Sequence, residues 1–324
     1  MSNAIDIILQ KFDKFNMSIT QVPLYKLQNI SNLYNVNLYC LRDDLTGFGF
    51  GGNKIRKLDY LIKDAVNQGC DSVVTWGSNQ SNWCRMTAAA GSVNGLEVHL
   101  LLQGKKPDKA TANLKLDQLA GAEIAHIDDD DEAMFQALHQ KIKELRAIGK
   151  KPYPLVLGGS NPLGSLGYLE VFKEILEFSE KAGISFSKIF HASGSGGTQT
   201  GLAMGKIVSH WQGQVIGINV SRPTAEQEEK VWKLLQETGD FLSVKVSRKA
   251  VMNDGNYVGK GYRVNTKEAG EAIALFARKE GIFLDEVYSG KAASGMLDYI
   301  KKGKINSQEN ILFIHTGGNV QLFE

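Results

Sequence analysis

Residues 188–201 read KIFHASGSGGTQTG, an apolar run that breaks into glycines and hydroxyl residues and then opens a helix. At such a strand-to-helix turn the first-turn amides have no intrahelical acceptor. Together with the helix dipole they make a cradle for an anion such as phosphate. Two nucleotide-binding versions do not fit. A P-loop needs Lys after Gly201, where Leu202 and Ala203 stand, and a dinucleotide fingerprint needs Gly where Gln199 sits. Without a ligand the segment is simply a glycine-rich turn.

The same rhythm extends in both directions. SVVTW (72–76), EVHLLL (97–102), EIAHI (123–127) and YPLVL (153–157) read as buried parallel strands, and KIFHA (188–192), VIGINV (215–220) and ILFIHT (311–316) form a second series. Helical patterns lie between them. The one after Lys54 gathers Leu58, Leu61, Ile62, Ala65 and Val66 on one face, and the next begins near Ser81. This predicts an α/β fold of two open doubly wound lobes. A chain of 324 residues exceeds the size at which one core keeps growing. With no Pro/Ser-rich linker, the crossings are expected near residues 50 and 160. Residues 1–52 with 161–324 then form the larger domain and 53–160 the smaller, with the site between them.

Composition narrows the function classes. At 43% apolar and 22% charged residues the chain can build a sizeable core, and a net charge of +2 does not suggest a polyanion partner. No Lys/Arg cluster is interleaved with aromatics, so nucleic acid is not expected. Cys40, Cys70 and Cys84 form no metal-ligand spacing and read as buried thiols in a reducing compartment. No apolar run approaches the ~20 residues of a membrane span. The N-terminus MSNAIDIILQKF lacks a charged start before an apolar core, so a cytoplasmic protein without a membrane partner is expected. The acidic run Asp128 to Glu132 is expected to cap the following helix.

Two further segments carry chemistry: GGNKIRKL at 51–58 and NQSNW at 79–83. A lysine amine forms imines only when its pKa is lowered, by desolvation or by a cationic neighbour, and Arg56 and Lys57 supply such neighbours for Lys54. An imine-forming lysine, a phosphate cradle without a nucleotide signature, and two α/β lobes together suggest pyridoxal 5'-phosphate.

At this point the chain resembles a known family, the fold-type II, tryptophan-synthase-β-like pyridoxal-phosphate enzymes, and within them the D-cysteine desulfhydrase and 1-aminocyclopropane-1-carboxylate (ACC) deaminase group. The likeness runs through RDDLTG (42–47), GGNKIRKLDYL from Gly51, QSN (80–82), PLGSLGY (162–168), GSGGTQTG (194–201), LDEVYSGKA (284–292) and HTGG (315–318). It implies that the cofactor lies between the lobes, with Lys54 as the Schiff-base lysine and Lys57 as a positive charge near the phosphate. It also implies that Asn82 meets the phenolic oxygen, that Ser195, Gly196, Gly197 and Thr198 hold the phosphate, and that Ser81, Tyr262 and Tyr288 border the substrate. GGSNPLG (158–164) would frame the substrate carboxylate. Each has a plainer reading: Ser81 as an N-cap, Asn82 as a helix-start residue, the tyrosines as half-buried aromatics. Lys291 reads as a helix-side lysine without a catalytic role.

Ser289 and Thr316 distinguish the subfamilies, because the ACC deaminases carry glutamate and an apolar residue at the matching positions. A hydroxyl leaves the cofactor ring nitrogen largely neutral and the electron sink weak, which suffices when thiolate leaves from the β-carbon. The resemblance thus implies a lyase that eliminates the β-substituent of a D-amino acid, D-cysteine above all, to give pyruvate, hydrogen sulfide and ammonia. The alternatives are an ACC deaminase giving 2-oxobutyrate and a non-pyridoxal α/β binding protein. Trp83 stands where the relatives carry a smaller polar residue, Trp76 lies just before the same loop, and both indoles are expected to narrow the pocket. The resemblance further implies a homodimer that acts on a small-molecule amino-acid substrate.

Overall fold

Val-, Ile- and Leu-rich runs settle into two separate sheets in the computed structural model, which describes residues 2–19, 21–128 and 130–324. The strands are β1 (Leu24–Lys26), β2 (Asn37–Leu41), β3 (Ser72–Ser78), β4 (Glu97–Gln103), β5 (Glu123–Ile127), β6 (Pro152–Pro154), β7 (Phe186–Ser193), β8 (Gln214–Asn219), β9 (Asn253–Asp254) and β10 (Asn310–Ile314). One sheet has the order β1-β2-β10-β7-β8-β9, the other β5-β4-β3-β6. Every pair is parallel except β1 with β2, as crossover helices on both faces require. Apolar clusters cover both faces of the larger sheet, around Phe172 and Leu202 on one side and Phe190 and Met296 on the other, and a third fills the smaller sheet around Leu58 and Leu100.

Two expected strands differ. YPLVL is not a five-residue strand: β6 stops at Pro154, and residues Leu157–Gly159 form a 3₁₀ turn. Pro152 and Pro154 have no N–H to donate, which confines the segment to the edge beside β3. EIAHI is also an edge strand, paired only with β4, and none of its residues is fully buried. The short strands β1, β2 and β9 carry no pattern that the sequence reading singled out.

Three helices position the site: Lys54–Asn67, Pro162–Ala182 and Gly197–Ser209. They pack closely because glycines stand at the crossings. A Cβ on Gly167 would lie 2.3 Å from the carbonyl oxygen of Arg56, and one on Gly201 would lie 2.3 Å from that of Ser165. A buried ion-pair network locks the first crossing. The Arg56 guanidinium donates to Asp43 Oδ1 at 2.9 and 3.1 Å and to Glu174 at 2.6 and 3.0 Å, while Tyr168 Oη donates to Asp43 Oδ2.

All three cysteines are free. Cys40 and Cys84 are buried, as expected, but Cys70 is only half-buried. In the acidic run, Asp130 is the N-cap of the helix Asp131–Ala147 and accepts from the amides of Glu132 and Ala133; Asp129 lies outside the described residues. Among the described residues no helix is long and apolar enough to cross a membrane.

Candidate active site

The approach to Lys54 is a turn only glycine adopts comfortably, with φ of 69° at Gly51 and 117° at Gly52. Gly52 N–H donates to Asp43 O at 3.0 Å and Asn53 N–H to Thr316 O at 2.9 Å, which fixes Lys54 at the start of its helix between the ends of β2 and β10. Burial pulls the Lys54 amine down to a pKa of about 8. The expected cause is corrected for Arg56, which points away into its carboxylates. Desolvation is the leading cause of the shift, and Lys57, which turns to the Gly158 carbonyl at 3.0 Å, is still near enough for the two ammonium charges to repel.

The glycine loop after β7 is braced from beneath. Gly196 has φ 102°, Gly197 N–H donates to Ser160 Oγ at 3.1 Å, and Ser160 Oγ donates to Ser195 Oγ at 2.8 Å. A Cβ on Gly197 would lie 2.9 Å from both Lys57 Nζ and Ser160 Oγ. Lys57 thus sits behind the loop and does not line the cavity. Thr198 Oγ1 accepts from Asn53 Nδ2 at 3.0 Å, tying the loop to the residue before Lys54. The first intrahelical bond here runs from Thr200 N–H to Gly196 O, so the amides of Thr198 and Gln199 precede it. GGSNPLG serves this scaffold: Asn161 caps its own helix through Gly164 N–H at 2.7 Å, and Ser160 supports the loop.

Ser81 is the N-cap of the helix Asn82–Val93 and accepts from Cys84 N–H at 3.2 Å. Asn82 follows it. Its Oδ1 accepts from Asn113 Nδ2 at 2.9 Å, which orients the amide so that its own N–H groups face the cavity side. Trp83 donates to Thr75 Oγ1 at 2.8 Å and is buried against Gly159, while Trp76 stays partly exposed; both border the cleft. Tyr262 and Tyr288 meet oxygen to oxygen at 2.5 Å; burial raises the Tyr288 phenol, whereas Tyr262 is 43% exposed.

Two sequence readings need correction. Ser289 does not reach the cavity. It is 1% exposed and bound to Asp285, donating to Oδ1 at 2.6 Å and accepting from Asp285 N–H at 2.8 Å. Asp285 also accepts from the amides of Val287, Tyr288 and Ser289, so the pair is a helix cap. Lys291 is not a helix-side lysine. It is fully buried, and its ammonium donates to the carbonyls of Val258 at 2.8 Å and Gly261 at 2.9 Å, pinning the loop that carries Tyr262.

Two connected spaces result. The inner one is lined by Lys54, Asn82, Ser195, Gly196, Thr198, Tyr288 and Thr316, with Asn53 and Gln199 beside them. The outer cleft, of about 360 Å³, shares Lys54, Asn82, Ser195 and Tyr288 and adds Ser81, Trp76, Trp83 and Tyr262. Sequence reasoning missed Asn53, Ser160 and Asp285. The spacing Asp285-x-x-x-Ser289 at a helix start was the one available signal, for the cap.

Residues 15–317 match the family model described as "Pyridoxal-phosphate dependent enzyme". A Pyrococcus furiosus protein named "Putative 1-aminocyclopropane-1-carboxylate deaminase" is 38% identical over 319 residues, covering 98% of this chain and 95% of the relative. The D-cysteine desulfhydrase of Serratia proteamaculans is 36% identical over 326 residues, covering 97% and 96%. The crystal structure of an ACC deaminase homologue superposes with a TM-score of 0.92 at 37% identity, covering 100% of this chain and 97% of that one.

Proposed function

Because the chain belongs to the pyridoxal-phosphate-dependent enzymes, in their ACC deaminase and D-cysteine desulfhydrase group, we propose that it is the β-eliminating kind: D-cysteine and water give pyruvate, hydrogen sulfide and ammonia. The carrying observation is the inner cavity's chemistry. Thr316 lines it, and no carboxylate does among the described residues. A ring nitrogen met by a hydroxyl is the weaker sink that thiolate departure tolerates. Of the two positions that distinguish the subfamilies, Ser289 is held by Asp285 and Thr316 lines the cavity, so Thr316 is the hydroxyl we assign to that nitrogen.

The residues fit the cofactor. A desolvated lysine stands beside a loop in which Gly197 leaves no room for a Cβ and Gly196 takes a φ of 102°, and Asn82 has amide hydrogens turned to the same space. When bound, pyridoxal phosphate supplies an aldehyde for Lys54 and an electron sink for the α-carbon. Ser195, Gly196 and Thr198 would hold its phosphate, while the Gly197 amide is engaged by Ser160 and Lys57 stands behind the loop. Lys54 takes the α-proton as a neutral amine, Tyr288 relays protons with Tyr262, and Ser81 donates to the substrate carboxylate. In this reading residues 53–160 form the smaller domain against 1–52 with 161–324, and the family likeness supports a cytoplasmic homodimer.

A second reading, ring opening of ACC to 2-oxobutyrate, is favoured by the names of the Pyrococcus relative and the solved homologue. Incubation with D-cysteine and with ACC, followed by identification of the keto acid, decides between them: pyruvate from D-cysteine is expected, and 2-oxobutyrate as the main product reverses the choice. Lys54→Ala should abolish turnover and the borohydride-fixed cofactor mass.

A further inference from the structure

The outer cleft is larger than a three-carbon amino acid needs, and its far wall is cationic. Arg222 and Lys230 line it together with Lys54, and among the described lining residues none is acidic. Arg222 follows the C-terminal end of β8, next to the strand that feeds the glycine loop, which is where ligands collect in open α/β sheets. Its position is fixed by Asn219 Nδ2, which donates to Arg222 O at 3.1 Å, and by its own bond to Ser221 Oγ at 3.3 Å. Lys230 comes from the helix Thr224–Leu242.

Among the described residues neither cation has a carboxylate within 4 Å. Both cations also line the open groove just outside, together with Lys233, Glu226 and Glu229, and Glu229 is paired with Arg248 at 2.9 Å. Burial and the neighbouring Arg222 push the Lys230 amine down to about 8. Two like charges sharing a partly desolvated wall repel each other, and an anion between them relieves that cost. Neither Arg222 nor Lys230 lines the inner cavity with the glycine loop; the pair stands where the outer cleft meets the open groove outside.

We propose that Arg222 and Lys230 form an anion subsite for the β-substituent, so that the preferred substrates are D-amino acids whose leaving group is itself acidic. This rests on the β-elimination reading. For a phosphate ester the α-proton is removed, the Cβ–O bond breaks, and inorganic phosphate leaves with the electron pair. Water then releases pyruvate and ammonia.

The test compares O-phospho-D-serine with β-chloro-D-alanine in the wild-type holoenzyme and in Arg222→Gln, Lys230→Gln, the double variant and Lys230→Arg. Binding of inorganic phosphate to each holoenzyme is followed by calorimetry. The ratio of kcat/KM values should favour the phosphate ester and fall roughly tenfold or more for each neutralised cation, while Lys230→Arg retains most of it. An unmoved ratio in the double variant overturns the subsite. So does a parallel loss of both substrates with loss of bound cofactor, which would assign the cations to the cofactor. If neither D-amino acid turns over, the functional reading fails, and the subsite is judged on binding alone: phosphate binding that depends on both cations upholds it, and binding that does not overturns it.

Discussion

The phenols of Tyr262 and Tyr288 touch at 2.5 Å although they arrive by different routes, Tyr288 at the start of the helix Ser289–Lys301 and Tyr262 on the loop ahead of the helix Lys267–Glu280. A phenol is protonated at neutral pH as it stands, and burial holds Tyr288 there still more firmly. Tyr288→Phe should lower kcat by about 10²-fold, the usual scale for one proton carrier, while the protein remains yellow. Tyr262→Phe, at the outer cleft alone, should act more weakly. Initial rates of pyruvate release decide; equal and small effects would leave the pair a structural contact.

Lys291 offers a separate handle on Tyr262. Replacing it with Met removes the donor to the Val258 and Gly261 carbonyls and frees the loop. Lys291→Met should raise KM several-fold with bound cofactor retained, and amide hydrogen exchange across residues 255–264 should quicken. Unchanged exchange would show that the loop is held by other contacts.

The lowered Lys54 pKa has a definite sign. The neutral amine attacks the aldehyde, so cofactor uptake by the apo protein should rise through about pH 8 and not near 10.5. Stability follows the same titration. Below about 8 the fold carries the cost of a desolvated ammonium, and that cost is relieved as pH rises toward 10.5. Stopped-flow absorbance against pH measures the first effect. A midpoint near 10 would mean that the amine is solvated.

Arg56→Met should destabilise the protein by about 3–5 kcal/mol, because Asp43 and Glu174 would be left buried without their counter-charge. Urea unfolding of the apo protein measures it. A loss below about 1 kcal/mol would mean that water reaches the carboxylates.

The periodicity of apolar residues located seven of the ten strands and the helix that Lys54 opens, since strand and helix patterns are local. It missed β1, β2 and β9, of five residues or fewer, and overextended β6 past prolines that end its pairing. Of the site, the glycine loop, Lys54, Ser81 and Asn82 were legible because each stands at a helix start that short motifs mark.

By itself, then, the sequence determined the α/β alternation, the loop that cradles an anion and the lysine beside it, because backbone conformation and helix starts follow from neighbouring residues. Only the tertiary structure decided what each side chain does. Lys57 turns to Gly158, Asn53 reaches Thr198 across 145 positions, Ser289 is claimed by Asp285, and Lys54 is tuned chiefly by burial. Those outcomes depend on desolvation and on partners brought in from distant elements, and neither quantity is written in local spacing.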